Sequence, residues 1–382
     1  MSKQKICVIG NGLAGLMTAI ILSKENIELD LYSSVNKKNK IKYDDRTTAI
    51  SESNYKYIKK ELNLSSQNFM WPSKQVNLFF EDKNIVKNFL NFNEAKKNFM
   101  YIFQNKDLKK VLDKIILKKK NINLIEKNIQ NLNFDQESIC IKQKSIFYDL
   151  IILCVGNQSS LYNKIEQGRS IKKNYNEFAM TSIIQHSSKI NNASQFFLKE
   201  GPLAILPFKK NLFSIVWSVD SLFFNKNKNK LKQIVIKKIN ALVKNISIKK
   251  MTDIKTYPIY LNLKTKYFKK NILILGDGLH SIHPMAGQGF NLILRDIKKL
   301  SELFSDTLKL GLLIKNSFLL KNFYDARKPE NNILGLGVNL TNLFFKDNKY
   351  FSFTKKVILK NISNFKFIKK ISQSISNKGI LQ

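Results

Sequence analysis

The chain reads as an α/β protein in two interleaved parts, with a helical C-terminus. Two observations carry that reading. Gly10-x-Gly12-x-x-Gly15 stands between an apolar strand-like run and an apolar helix-like run, the context in which three glycines at that spacing join strand to helix. From about residue 180 to 260 the texture changes to alternating segments, and an apolar run at 271–275 then ends in Gly276-Asp277. The first pattern predicts a parallel sheet, and the second predicts an antiparallel sheet inserted into it.

Each element follows from its local pattern. Residues 5–9 form a buried strand, 13–24 a helix and 27–32 a second strand, together a Rossmann-like βαβ unit. Residues 106–119 form a helix, because Leu108, Val111, Leu112, Ile115 and Ile116 share one face, and Asn105 is placed to cap it. Strands follow at 123–126, 139–143 and 149–153, the last a continuous apolar run suited to mid-sheet. The inserted sheet contributes 194–198, 203–207 and 212–219, covered by a helix at 231–243. At 382 residues the chain exceeds the roughly 250–300 at which single cores stop growing. The expected division is a discontinuous nucleotide-binding domain at 1–70, 98–178 and 268–322, a mostly antiparallel sheet domain at 71–97 and 179–267, and a helical region at 323–382.

In the fingerprint, Gly10 permits the turn, Gly12 lets backbone approach a pyrophosphate and Gly15 allows close helix–strand packing. The same fingerprint asks for an acid at the end of the second strand to take the ribose hydroxyls. Ser33 holds that place. Asp30 lies three residues earlier, and at period two it points to the opposite face.

The most informative stretch is Gly276-Asp277-Gly278-Leu279-His280-Ser281-Ile282-His283-Pro284-Met285-Ala286-Gly287-Gln288-Gly289-Phe290-Asn291. A strand that ends in Gly-Asp, crosses a Pro- and Gly-rich turn and opens a helix can hold an extended polar ligand by amides and one carboxylate. The segment resembles the Gly-Asp element of the aromatic-hydroxylase flavoproteins, in the form usual for ubiquinone-biosynthesis hydroxylases. Residues 195–207, Ser214-Ile215-Val216-Trp217-Ser218 and Tyr257-Pro258-Ile259 strengthen the resemblance.

That resemblance implies an FAD-dependent monooxygenase. NAD(P)H would reduce the flavin as a transient co-substrate, and dioxygen would be carried as a flavin C4a-hydroperoxide to the ring of a polyprenylated phenol. Asp277, following Gly276, would meet the ribityl chain; Pro284 and the backbone of Gly287, Gln288, Gly289, Phe290 and Asn291 would face the flavin. Leu13 and Ala14 would lie beside the fingerprint glycines. Arg46 matches the arginine near flavin and pyrophosphate, Gln104 a position touching the cofactor, and Trp217 a substrate-cavity position. Relatives commonly carry Ala-Asp-Gly where this chain has Cys154-Val155-Gly156, so Val155 removes an acid tied to FAD and NAD(P)H handling. His280 and His283 take positioning roles; no catalytic acid or base is assigned. A lipid reductase or dehydrogenase, or a non-catalytic flavin scaffold in a biosynthetic complex, stands as the alternative.

Only one Gly-x-Gly-x-x-Gly occurs, which speaks against the paired nucleotide domains of flavin disulfide reductases. The formal charge of +37, from 65 Lys and Arg against 28 Asp and Glu, is dispersed in short Lys clusters among Asn and Ile. This looks like base-composition bias, and no nucleic-acid-binding module accompanies it. Cys7, Cys140 and Cys154 stand far apart without metal spacing, so no metal is expected and the thiols suit a reducing compartment. The apolar stretch at 6–22 imitates a signal peptide, but its glycines explain it better. The expected location is cytoplasmic, with peripheral contact at the inner face of the membrane and association with other quinone-pathway enzymes implied by the resemblance.

Overall fold

The computed structural model describes residues 3–33, 44–64, 69–93, 97–129, 132–134, 138–141, 144–156, 159–166 and 170–346. Asn157 and Gln158, and residues 347–382 of the expected C-terminal region, lie outside the described residues. The helices are α1 Leu13–Leu22, α2 Glu52–Glu61, α3 Asn105–Lys118, α4 Asn163–Glu166, α5 Ser221–Asn227, α6 Leu231–Leu242, α7 Gln288–Lys309 and α8 Leu319–Phe345.

One six-stranded sheet organises the first part. Its order is Phe268–Lys269, Ile272–Ile274, Leu150–Leu153, Gln4–Ile9, Ile27–Ser33 and Ile122–Glu126, parallel apart from the hairpin at the 268–274 edge. Ile6, Cys7, Val8 and all of Leu150–Leu153 are fully buried, which is why these runs are uniformly apolar. Ile9 pairs with both Tyr32 and Leu153, and Leu153 pairs with Ile274. The register therefore sets Gly10, Ser33, Cys154 and the Gly276 turn side by side beyond the carboxyl ends of four parallel strands. The chain leaves the strand Gln4–Ile9 for a neighbour on either side, and at such a switch point α/β sheets open a ligand crevice.

Asp30 shows why register matters. It accepts hydrogen bonds from Tyr148 Oη (2.6 Å) and Asn123 Nδ2 (3.1 Å), with Lys5 Nζ 3.5 Å away. The carboxylate is consumed on the far face of its strand, as the period-two argument requires.

The second part is a nine-stranded sheet, mostly antiparallel, in the order His280–Ser281, Lys255–Lys264, Ser170–His186, Leu212–Asp220, Gly201–Lys209, Ala193–Leu198, Gln75–Asp82 and Ile85–Asn93, with Ile248–Met251 also paired to Ser170–His186. The strand Ser170–His186 belongs to this sheet throughout, although it begins inside the stretch expected for the nucleotide-binding domain. Val235 and Ile239 of α6 pack against Phe213, Ile215, Trp217 and Val219 on one face. A small sheet of Thr47–Ser51, Met100–Gln104 and Trp71–Ser73 connects the two parts; its strands are too short to stand out in the sequence pattern.

α8 is clamped to α7 by buried charge. Arg327 Nε donates to Asp296 Oδ1 (2.7 Å), its terminal nitrogens bond Glu330 and Asn331, and Arg295 pairs with Glu330 at 3.3 Å. Burial works against the charge of Asp296, but Arg327 and His280 hold its carboxyl below the usual range. Each ion is paired, as buried ions must be.

Candidate functional site

A cavity of about 1980 Å³ runs from the carboxyl ends of the parallel strands to the face of the large sheet and the inner side of α8. Ligand pockets commonly hold about 300–1,000 Å³, so this one has room for a dinucleotide and a second molecule.

The fingerprint forms one wall. Gly10 sits at φ +121°, and a Cβ there would lie 2.2 Å from the Cys154 carbonyl oxygen, so only glycine joins this strand to α1. Gly15 is packed behind it against the Gly10 carbonyl. Gly12 is different: nothing lies within 4 Å of where a Cβ would stand, and its backbone is open to the cavity beside Leu13 and Ala14. No side chain caps α1, and its first amides remain available to an anion. Ser33 lines the cavity at the end of its strand.

Asp277 lies opposite. It stands in the cavity wall, accessible to the cavity yet enclosed by protein, and has no hydrogen-bond partner among the described residues. That enclosure raises its carboxyl above the ordinary range; Arg46 and His280 pull it down without cancelling the effect. A carboxylate that faces the cavity without a protein partner suits a ligand that brings hydroxyl donors.

Pro284, Gly287, Gln288, Gly289 and Phe290 continue the wall into the start of α7, a 22-residue helix whose N-terminus no side chain caps. Asn291 does not face the cavity. Its Oδ1 accepts from Ser51 N (2.9 Å) and Asn54 Nδ2 (2.7 Å), while its Nδ2 donates to the carbonyls of Ala49 and Gly287, both at 3.0 Å. Its side chain pins the helix start in place and leaves nothing for a cofactor.

Arg46 lines the cavity in a fixed pose. Its Nε and Nη2 donate to the Asp44 carboxylate at 2.9 and 2.8 Å, and its guanidinium lies 5.1 Å from the Tyr257 ring centre. Burial disfavours charge on Asp44, but hydrogen bonds from Arg46 and Asn105 hold its carboxyl below the usual range. Asp45 likewise meets Lys106 (3.0 Å) and Lys255 (2.9 Å).

Four further expectations are corrected. Gln104 is buried outside the cavity as the N-cap of α3, with its Nε2 toward the Asp45 carbonyl at 3.5 Å. Asn105, expected as the cap, is the first helical residue; it accepts from Thr48 Oγ1 and donates to Asp44, and it lines the cavity. Trp217 is fully buried against α6, while Ser214 and Val216 of the same strand face the cavity. Alternation by one residue turns it away. Gly276 also lies behind the wall, where a Cβ would meet Ala14 at 2.9 Å.

His280 and His283 are committed to protein carboxylates. His280 Nε2 is 2.6 Å from Asp296 Oδ2. His283 Nδ1 accepts from Met285 N (3.2 Å), so its Nε2 carries the proton directed at Glu177, 3.0 Å away. Both hold the 280–285 loop in place.

Residues 142–310 match the FAD binding domain family model. That stretch is an FAD binding domain, and the chain is similar to FAD-dependent aromatic hydroxylases. It is 23% identical to the ubiquinone biosynthesis monooxygenase COQ6 of Dictyostelium discoideum, over 66% of this chain and 62% of that protein. It is 29% identical to the ubiquinone hydroxylase UbiL of Rhodospirillum rubrum, over 45% and 41%, and 26% identical to the 3-demethoxyubiquinol 3-hydroxylase of Escherichia coli, over 40% of each. The matched regions thus span less than two thirds of these curated relatives. In fold, it is similar to p-nitrophenol 4-monooxygenase PnpA of Pseudomonas putida (TM-score 0.80, 11% identity, 100% of this chain and 99% of that one). PqsL of Pseudomonas aeruginosa, a probable FAD-dependent monooxygenase, follows at 0.73 and 12%, over 92% and 99%. FAD is the cofactor of the matched domain, and the cavity fits it: Gly12 leaves space at the crevice, the amides of α1 and α7 are uncapped by side chains, and Asp277 lacks a protein donor.

Proposed function

We propose that this chain hydroxylates the aromatic ring of a polyprenylated phenol in ubiquinone biosynthesis, using FAD, NAD(P)H and dioxygen. The observation that carries the reading is the shape of the cavity. Its polar wall of Asp277 and the α7 start continues into an apolar wing lined by Phe89, Leu90, Phe197, Met285, Val338 and Phe345. An uncharged wing beside a cofactor wall suits a phenol with an isoprenoid tail, since apolar burial is worth about 25 cal/mol per Å².

When bound, the flavin supplies hydride acceptance and oxygen activation. The protein's part is binding and orientation. The α1 amides beside Gly12 hold the pyrophosphate, Ser33 meets the adenosine ribose, and Asp277 accepts from the ribityl hydroxyls. The N-terminus of α7 would favour negative charge on a flavin bound against it. Arg46, held by Asp44 and stacked on Tyr257, keeps a fixed cation over the same cavity. Such a substrate resides in lipid, which favours peripheral membrane contact and work beside other quinone-pathway enzymes. No helix among the described residues is long and apolar enough to cross a membrane.

The test is to reconstitute the purified full chain with FAD, supply NADH or NADPH with a short-chain prenylphenol, and analyse products by mass spectrometry. A product about 16 mass units heavier, with oxygen taken from labelled dioxygen, is expected. Nicotinamide oxidation stimulated by the phenol without that product would instead identify a reductase or dehydrogenase. Ser33 and Val155 motivate the scaffold reading, for which the flavin would bind and stay unreduced.

A further inference from the structure

We propose that Tyr162 is a positioning residue for the flavin, bracing against one another the two turns that flank it, Cys154-Val155-Gly156 and Gly276-Asp277-Gly278. This rests on the flavin reading of the cavity. Tyr162 ends the short 3-10 turn Ser160–Tyr162 that follows the strand Leu150–Leu153, and it is 1% exposed. Its hydroxyl donates to the Gly156 carbonyl at 2.6 Å. Gly156 lies at φ +82°, and Cys154, Val155 and Gly156 all line the cavity.

The same ring occupies the space behind the second turn. A Cβ at Gly278 would fall 2.1 Å from Tyr162 Oη and 2.4 Å from Cζ, inside any permitted contact. The residue before it is Asp277, the unpartnered carboxylate of the cavity wall. One side chain therefore touches both turns, by a hydrogen bond on one side and by packing on the other. Lys264 Nζ stands 5.4 Å from the ring centre and holds the ring in turn. Burial pushes the phenol well above its ordinary range, so it keeps its proton and remains a donor.

The brace matters in this chain because Val155 gives the first turn no acid of its own. Placement of the flavin then depends on backbone geometry, and a shift of an ångström in such geometry weakens a site severely.

The test is FAD affinity of the full-length apoprotein, read by flavin fluorescence, together with visible circular dichroism of bound flavin and apoprotein melting. Tyr162→Phe keeps the ring and removes the hydroxyl; we expect FAD to bind about threefold to tenfold more weakly with an altered flavin dichroism. Gly278→Ala is expected to weaken FAD by more than that in the wild-type background. Its affinity penalty should shrink several-fold when Tyr162→Leu removes the clash, and that coupling in FAD affinity should exceed the coupling of the same pair in apoprotein melting. Tyr162→Phe with wild-type affinity and dichroism, or additive effects of the two substitutions, would overturn the brace. Failure of the unmodified chain to bind FAD would overturn the flavin reading itself, and the brace with it.

Discussion

The two ends of the cofactor cavity are built on opposite principles. At the fingerprint end the groups offered to a ligand are backbone: Gly12 is open, α1 is uncapped by side chains, and Ser33 stands where the fingerprint asks for an acid. The nearby Asp30 is fully engaged by Tyr148, Asn123 and Lys5. At the Gly-Asp end a carboxylate is kept without a protein partner, at a cost to its own ionisation. The contrast teaches where affinity resides. On the proposed reading, backbone amides would position a pyrophosphate at either charge state of the wall, whereas Asp277 would hold the ligand by a charge-assisted bond that nothing else in the wall replaces.

The strongest way to break the comparison is Asp277→Ala. Loss of hydrogen bonds to a charged group costs about 1.5–3 kcal/mol, and FAD should bind about 10- to 100-fold more weakly, measured by fluorescence titration. Asp277→Asn separates affinity from stability. A carboxyl raised in the folded state binds protons that the unfolded chain has already released. Stability contributed at this site is therefore lost as pH rises from the ordinary value of 3.8 through the raised one. The Asn variant should bind FAD more weakly, yet its apoprotein should melt higher than wild type at about pH 7, with the advantage shrinking as pH falls toward about 4. Equal melting at both pH values would show that Asp277 is ordinarily solvated.

Asn291→Ala tests the same end through its support. Four hydrogen bonds tie this side chain to α2, the strand Thr47–Ser51 and the turn before α7. Leaving such buried partners unmatched costs about 1–3 kcal/mol. Chemical denaturation should register that loss in the apoprotein, with FAD affinity falling as a consequence of the displaced helix start.

Ser33→Glu sharpens the comparison from the other side. A charged acceptor exceeds a neutral one by about 1 kcal/mol, so FAD should bind about fivefold more tightly. An unchanged or higher dissociation constant would place the ribose elsewhere.

What the sequence made legible, and what it did not, follows from the range of the interactions. Strand and helix patterns are local, so Gln4–Ile9, α1, Ile27–Ser33 and α3 emerge within a residue or two of expectation. Asp30 could be turned away from the cavity by counting alternate residues. Tyr162 could not be found, because its partners Gly156 and Gly278 lie on separate turns and Gly278 is 116 positions away. The Asn105–Asp44 bond likewise joins residues 61 apart. Asp44 beside Arg46 was the one accessible signal, since residues two apart in a loop can close a fork.

The smallest effect is expected at Trp217, where the resemblance pointed to substrate and the structure points to the core. Its ring is fully buried between the sheet and α6, with Phe223 5.9 Å away and Lys238 Nζ 5.9 Å from the ring centre. The indole nitrogen has no hydrogen-bond partner among the described residues. Trp217→Phe therefore removes an unsatisfied donor along with some volume. The two changes oppose each other, and the loss of stability should stay below about 1.5 kcal/mol, the range of well-tolerated core swaps. KM for the phenol should not move, because Val216 and Ser214 present the cavity face of this strand. A clear rise in KM with an unchanged melting temperature would place the substrate against the α6 side of the sheet and reverse the assignment of its two faces.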